Sequence, residues 1–377
     1  MKGNGNRMVG ITTVRLLAMS VLLLSFLLPE RKIEPEPYPL DYPANFGGRF
    51  TIPEDNPMTK EGVYLGRLLF YERRLSKDNT FSCANCHQQK LAFTDGKQLS
   101  EGVDGSLTRR NAMSLANLLW VRNLFWDGRA TSLEEQAIVP LTDPHEMGQS
   151  LDASAEKLRQ TALYPELFRE AFGSAAITGD RIVKALAQFE RSLISADAPY
   201  DRYLQGTYQP TEQEMRGMTL FMTTPSPERN VRGANCGHCH GTPKIFKELF
   251  HNNGLDSLPK DEGRMDLTGQ DIDRGRFRVP TLRNIALTAP YMHDGRFGSL
   301  EEVLDHYNEH VRQGPYLSPF IAEATNQSGG KSLLLHDDEK QDIIAFLHML
   351  TDTTFVNNPE FSDPHGTLNM KTLNSKQ

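Results

Sequence analysis

Two five-residue segments constrain this chain more than anything else in it: Cys83-Ala84-Asn85-Cys86-His87 and Cys236-Gly237-His238-Cys239-His240. Each reads C-x-x-C-H, the attachment signature of a c-type haem. The two cysteines can form thioethers to the haem vinyl groups, and the histidine can ligate the iron from one face. The chain has four cysteines, and these motifs use all of them. A disulfide framework suits a small secreted chain, not one of 377 residues with a core to bury. A zinc site could use two C-x-x-C pairs. Here the pairs lie far apart, and each carries a histidine directly after its second cysteine. A thioredoxin-like motif explains one C-x-x-C, not two with histidines. Two haems imply electron storage, electron transfer or redox chemistry on a small molecule.

The length allows two domains of ordinary size. Composition is that of a soluble globular protein, 38% apolar and 24% charged. A net charge of −7 does not suggest nucleic acid as a partner. The N-terminus reads as an export signal: Lys2, Arg7 and Arg15 are basic, and no acidic residue precedes Glu30. The apolar run Leu16 to Leu28 suits a signal-peptide core and is short for a membrane span. No A-x-A cleavage site follows, so an uncleaved inner-membrane anchor stays open as an alternative. Either way the body is expected outside the cytoplasm, in the periplasm.

Residues 1–32 are therefore taken as signal or anchor. Residues 33–55, rich in Pro, Glu and Tyr at their start, read as an extended linker. A first domain is expected over 56–205, a second over 206–356, and a disordered polar tail over 357–377. Helices are expected over Lys60–Phe70, Leu133–Val139, Leu151–Phe172 and Asp180–Ile194. Thr211 and Glu214 form a capping-box pattern that opens a helix through Phe221. Late helices are expected over Leu300–Asn308 and Asp337–Leu350, with the Ile343, Ile344, Phe346 and Leu347 face on the second haem. No strand is strongly signalled. Each half has a helix, then C-x-x-C-H, then a loop-rich region, a weak internal repeat.

Around both motifs the chain resembles the bacterial di-haem cytochrome c peroxidase family, which includes the MauG-type enzymes. The resemblance covers roughly Asn56 to Thr351. It is carried by Leu65-Gly66-Arg67-Leu68-Leu69-Phe70, Ser82 to His87, Arg110-Asn111, Phe125-Trp126-Asp127-Gly128-Arg129, Val279-Pro280-Thr281-Leu282-Arg283-Asn284 and Ala289-Pro290-Tyr291-Met292-His293-Asp294-Gly295. It implies a mainly α fold of two cytochrome c-like domains, each with one covalent haem c, the haems facing across the interface. It also implies a periplasmic homodimer.

Carried over residue by residue, the resemblance makes His87 the proximal iron ligand of the first, peroxidatic haem. Many members have a distal histidine that blocks this iron until the other haem is reduced. The matching stretch, Ser100 to Gly105, has none, so the first haem is expected to be open. The alternative is that another histidine, such as His145, blocks it. Glu146 and Gln136 match the distal pair: Glu146 would shuttle a proton during O–O cleavage and Gln136 would orient the peroxide. Trp126 matches the tryptophan between the haems; on its own it reads as a core aromatic. Trp120 fits no family position. His240 would be the proximal ligand of the second, electron-transfer haem. Peroxidases of the ordinary type place a methionine opposite it, which raises the potential. Here Tyr307 occupies that position, as in MauG-type enzymes, with Met292 and His306 as competitors. Calcium ligands map onto the Asn111 side chain and the carbonyls of Thr288 and Pro290.

Three functions follow. The first is a di-haem peroxidase that reduces hydrogen peroxide to water with electrons from a small cytochrome c or a copper protein. The second is a MauG-like oxidase that uses peroxide to modify a protein or other organic substrate through a bis-ferryl state. The third is a non-catalytic electron carrier with both irons six-coordinate.

Overall fold

The computed structural model describes Met1, residues 34–241 and residues 243–366. The expected export segment lies outside these residues, as does the end of the expected tail. No helix among the described residues is long and apolar enough to cross a membrane. The described residues from Pro35 onward belong to one compact unit.

The fold is mainly helical, and two helix crossings organise it. Helix α1, Lys60–Phe70, starts at Thr59, whose side chain accepts from Gly62 N. Its apolar residues Leu65, Leu68, Leu69 and Phe70 are fully buried. Helix α2, Leu133–Thr142, is capped by Ser132 and runs past Pro140. Helix α3, Gly179–Ser192, crosses α1 at Gly66, where an added Cβ would lie 1.9 Å from the Ala185 carbonyl oxygen. Only glycine permits that approach. The second half repeats the device. Helix α4, Glu212–Met222, opens with the Thr211/Glu214 capping box as expected. It crosses α6, Asp337–His348, at Gly217, where a Cβ would lie 1.8 Å from the Asp342 carbonyl oxygen. Helix α5, Leu300–Asp305, lies between them in sequence.

Each crossing is the centre of an apolar core. The first gathers Phe70, Phe93, Phe168, Leu186 and Phe189. The second gathers Tyr200, Phe221, Ile343, Phe346 and Leu350. Residues 357–366, the described part of the expected disordered polar tail, instead return to the first core. Phe355 and Phe361 are buried there, and Arg67 Nε donates to the Ser362 carbonyl at 2.7 Å. The expected linker is likewise pinned. Tyr42, Phe46 and Phe50 ring Trp120 with centroids 5.2, 5.4 and 5.9 Å away. Trp120 therefore belongs to a small satellite core.

Two expected helices differ. Leu151–Phe172 is broken into Leu151–Arg159 and Tyr164–Phe172. Pro165 is tolerated in a first turn, but inside one long helix it would clash with a preceding carbonyl. Leu300–Asn308 stops at Asp305 and continues as a π-turn, His306–His310. Among the described residues one small sheet pairs β1, Phe250–His251, with β2, Phe277–Arg278, antiparallel.

The internal repeat is stronger than the haem motifs alone suggested. Phe125-Trp126-Asp127-Gly128-Arg129 and Met292-His293-Asp294-Gly295-Arg296 adopt the same turn. Phe125 and Met292 both have positive φ, 66° and 76°. The turns are closed by the bridges Leu124–Ala130 and Tyr291–Phe297. Each leads into Ser-Leu-Glu-Glu, with Ser132 capping α2 and Ser299 capping α5. In that register Trp126 corresponds to His293, and Pro140 to Tyr307.

Candidate active site

Both C-x-x-C segments are single helical turns, Cys83–Cys86 and Cys236–Cys239. A spacing of three residues puts both thiols on one face of such a turn. The following histidine terminates it. All four cysteines are free. Burial pushes their thiols up, to about 11 for Cys86 and Cys239 and about 12 for Cys236. Among the described residues no three His, Cys, Asp or Glu side chains come together as a zinc site would need.

Burial also holds both histidines neutral, His240 down to about 4. His87 Nδ1 lies 2.8 Å from the Phe93 carbonyl oxygen. That bond places the proton on Nδ1 and leaves Nε2 with a free lone pair, the tautomer of a metal-ligating imidazole. His240 Nδ1 is buried with no hydrogen-bond partner among the described residues. Paired thiols and a neutral imidazole beside a cavity at each motif fit a c-type haem.

His87, Cys83 and Cys86 open on a cavity of about 60 Å³ that also receives Gln136, Pro140 and Glu146. Gln136 is on the second turn of α2 and Pro140 one turn later. Several backbone bonds hold the Glu146 loop, among them two that tie it to other segments. Val103 N donates to the Glu146 carbonyl at 2.7 Å, and Met147 N to the Pro140 carbonyl at 3.0 Å. Burial, reinforced by Asp143 and opposed by Arg129, raises the Glu146 carboxyl above its ordinary range. His145 is elsewhere: its side chain is 63% exposed and its Nδ1 lies 2.8 Å from Asp104. Sequence reasoning missed Glu190, on α3. It is buried at this cavity with Oε2 unpartnered among the described residues, and burial pushes its pKa up to about 8.

The larger cavity, about 260 Å³, receives Cys236, Cys239 and His240. Ile343 and Leu347 of α6 line it. Tyr307 and Met292 open into it as well. His306 does not. Its Nε2 donates to the Asn253 carbonyl at 3.0 Å, and its ring is tilted on Phe297. The Asn253 side chain, also missed, donates to Tyr307 Oη at 3.3 Å and to Met292 Sδ at 3.4 Å. Burial pushes the Tyr307 hydroxyl up to about 12.

Trp126 borders the same cavity. Its Nε1 donates to the Asn111 carbonyl at 2.9 Å, and Asn111 N donates to the His293 carbonyl at 2.8 Å. One residue thus ties the two repeated turns together. The Trp126 and His293 rings are 6.5 Å apart, edge to face. Asn111, Thr288 and Pro290 all line this cavity. The Asn111 amide nitrogen donates to the carbonyls of Lys97 and Gln98, which turns its side-chain oxygen away from those acceptors.

A profile of the di-haem cytochrome c peroxidase family matches residues 60–209. Over 302 residues the chain is 37% identical to the methylamine utilization protein MauG of Methylorubrum extorquens, covering 79% of this chain and 80% of that one. It is 35% identical over 254 residues to the cytochrome c551 peroxidase of Nitrosomonas europaea, covering 66% and 73% respectively. The solved structure of a MauG-like protein associated with microbial copper homeostasis matches with a TM-score of 0.78 and 38% identity, over 87% of this chain and 99% of that one.

Proposed function

The chain belongs to the di-haem cytochrome c peroxidase family and is an oxidoreductase of that type, and we propose that it reduces hydrogen peroxide at the His87 site with electrons delivered through the His240 site. The family implies haem, peroxide and an electron-donor protein. In this reading Cys83 and Cys86 bind one haem c and Cys236 and Cys239 the other, with His87 and His240 as iron ligands. A haem iron with one free position supplies the centre that binds peroxide and accepts electrons. Each turnover takes one peroxide, two electrons and two protons to two waters.

The observation that carries the reading is the company His87 keeps: Gln136, Pro140 and Glu146 share its cavity, and His145 does not. Proline offers no iron ligand. Ionised Glu146 takes the proton from one peroxide oxygen and returns it to the other; Gln136 orients the peroxide by hydrogen bonding. Trp126 is positioned as an electron relay at the larger cavity. Oxygens of Asn111, Thr288 and Pro290 would hold calcium there. Periplasmic export and homodimerisation belong to the same reading. The test is electron paramagnetic resonance of the oxidised protein. One high-spin and one low-spin ferric haem are expected, the high-spin signal vanishing on addition of peroxide. Two low-spin haems at rest would sink the open-site claim.

A second reading is favoured by Tyr307. As an anionic oxygen ligand to an iron held in the His240 cavity, it would lower the potential of that site. A low potential suits holding oxidising equivalents for an organic or protein substrate, as in a MauG-like oxidase. Steady-state turnover with reduced cytochrome c separates the two readings. Rapid oxidation supports the peroxidase; slow oxidation with peroxide-dependent modification of an added protein supports the oxidase.

A further inference from the structure

Arg278 is 4% exposed, on β2 at the wall of the larger cavity. The other buried arginines have carboxylate partners: Arg191 pairs with Glu134 and Arg283 with Asp201. Arg278 makes no ion pair among the described residues. Its side-chain contacts are the Phe125 carbonyl at 3.3 Å from Nε and Met113 Sδ at 3.5 Å from Nη2. Glu248 favours its charge only from a distance, and burial still lowers its pKa to about 10. Glu248 is itself engaged by Asn123 at 3.1 Å. Burying an unpaired guanidinium costs several kcal/mol unless a partner supplies the opposite charge. The fork of an arginine matches a carboxylate. Glu248 Oε1 is buried without a hydrogen-bond partner, yet no carboxylate among the described residues comes within ion-pair reach of the guanidinium. The cavity's occupant is left to supply one, and a haem carries two propionate carboxylates.

We propose, resting on the reading of this cavity as a haem site, that Arg278 anchors a haem propionate. Its backbone fixes where that anchor stands. Arg278 N donates to the Trp126 carbonyl at 2.7 Å, so the guanidinium is built on the strand that holds the tryptophan turn. Arg278 is a positioning residue: it orients the haem relative to Trp126 and sets the charge beside it, without touching peroxide.

The test compares the wild-type holoprotein with R278Q and R278K. Haem content is measured first by the pyridine haemochrome. Resonance Raman spectra then follow the propionate bending bands, and spectroelectrochemistry the midpoint potential of each haem. R278Q is expected to keep both haems, to shift a propionate band, and to lower the potential of one haem through loss of a positive charge. R278K is expected to restore the potential in large part while its band stays shifted, because an ammonium lacks the fork. Should R278Q fail to mature, the wild type and R278K decide: identical propionate bands in those two overturn the assignment. Unchanged bands and potentials in a di-haem R278Q overturn it as well. A wild type with no haem at the second motif would instead overturn the reading of the cavity itself.

Discussion

The side-chain amide of Asn253 donates to the hydroxyl oxygen of Tyr307 at 3.3 Å. The next link is equally local, since the Asn253 carbonyl accepts from His306 Nε2. One residue therefore removes His306 from the competition and holds the tyrosine in place. The π-turn at His306–His310 presents Tyr307 to the cavity; such insertions recur at functional sites.

Tyr307→Phe is expected to abolish the low-spin signal of a phenolate-ligated haem, whereas Met292→Leu should leave that signal in place. Asn253→Ala should keep the ligand but move its charge-transfer band, because outer partners tune a first ligand. Electron paramagnetic resonance and visible spectra of the three variants check this. Loss of the signal in Met292→Leu with retention in Tyr307→Phe would exchange the two roles.

Glu146→Gln should lower kcat/KM for peroxide by about 10²–10⁴-fold, the usual worth of a positioned acid–base group. The pH dependence follows from its raised pKa. Glu146 must be ionised to take a proton, so kcat/KM should fall as the pH drops through a value above the ordinary 4.5. A pH–rate profile of the wild type against Glu146→Gln measures it, and the variant should lose that acid limb.

Pro140 and Tyr307 occupy equivalent places in the two repeats, so this position is one at which the two cavities differ in whether a side chain could ligate iron. Placing a ligand there should close the first site. Pro140→His is expected to convert the high-spin signal to low-spin and to suppress reaction with peroxide. A Pro140→Ala control should stay high-spin. Persistence of the high-spin signal in Pro140→His would show that the two positions are not equivalent around the iron.

What could be read from the sequence was local. C-x-x-C-H encodes its own helical turn, and the bounds of α1 and the Thr211/Glu214 box follow from caps a few residues long. Glu146 and Gln136 came from resemblance, and the fold brings both to His87. Arg278 and Glu190 were invisible for a physical reason. A charged letter reads as surface until tertiary packing buries it. Phe361 was missed likewise, since a lone aromatic in a polar stretch carries no periodicity. The repeated Asp-Gly-Arg and Ser-Leu-Glu-Glu segments were present in the letters. It took the shared positive-φ turns at Phe125 and Met292 to show that they set Pro140 against Tyr307.

Glu190 gives a stability prediction whose sign can be worked out. Its pKa is about 8 in the folded chain, against 4.5 as the ordinary value. Below 4.5 both folded and unfolded forms are protonated, and the group costs nothing. Between the two values the unfolded chain ionises while the folded one holds its proton. Unfolding then releases a proton, and stability falls as pH rises, by about 1.4 kcal/mol per pH unit. Above about 8 the penalty is constant. Glu190→Gln keeps the shape and removes the titration. It is therefore expected to unfold at a higher temperature than the wild type at pH 8, with the gap narrowing toward pH 5. Thermal unfolding of both holoproteins across that range measures the gap, and a difference independent of pH would mean that the Glu190 carboxyl is not held neutral.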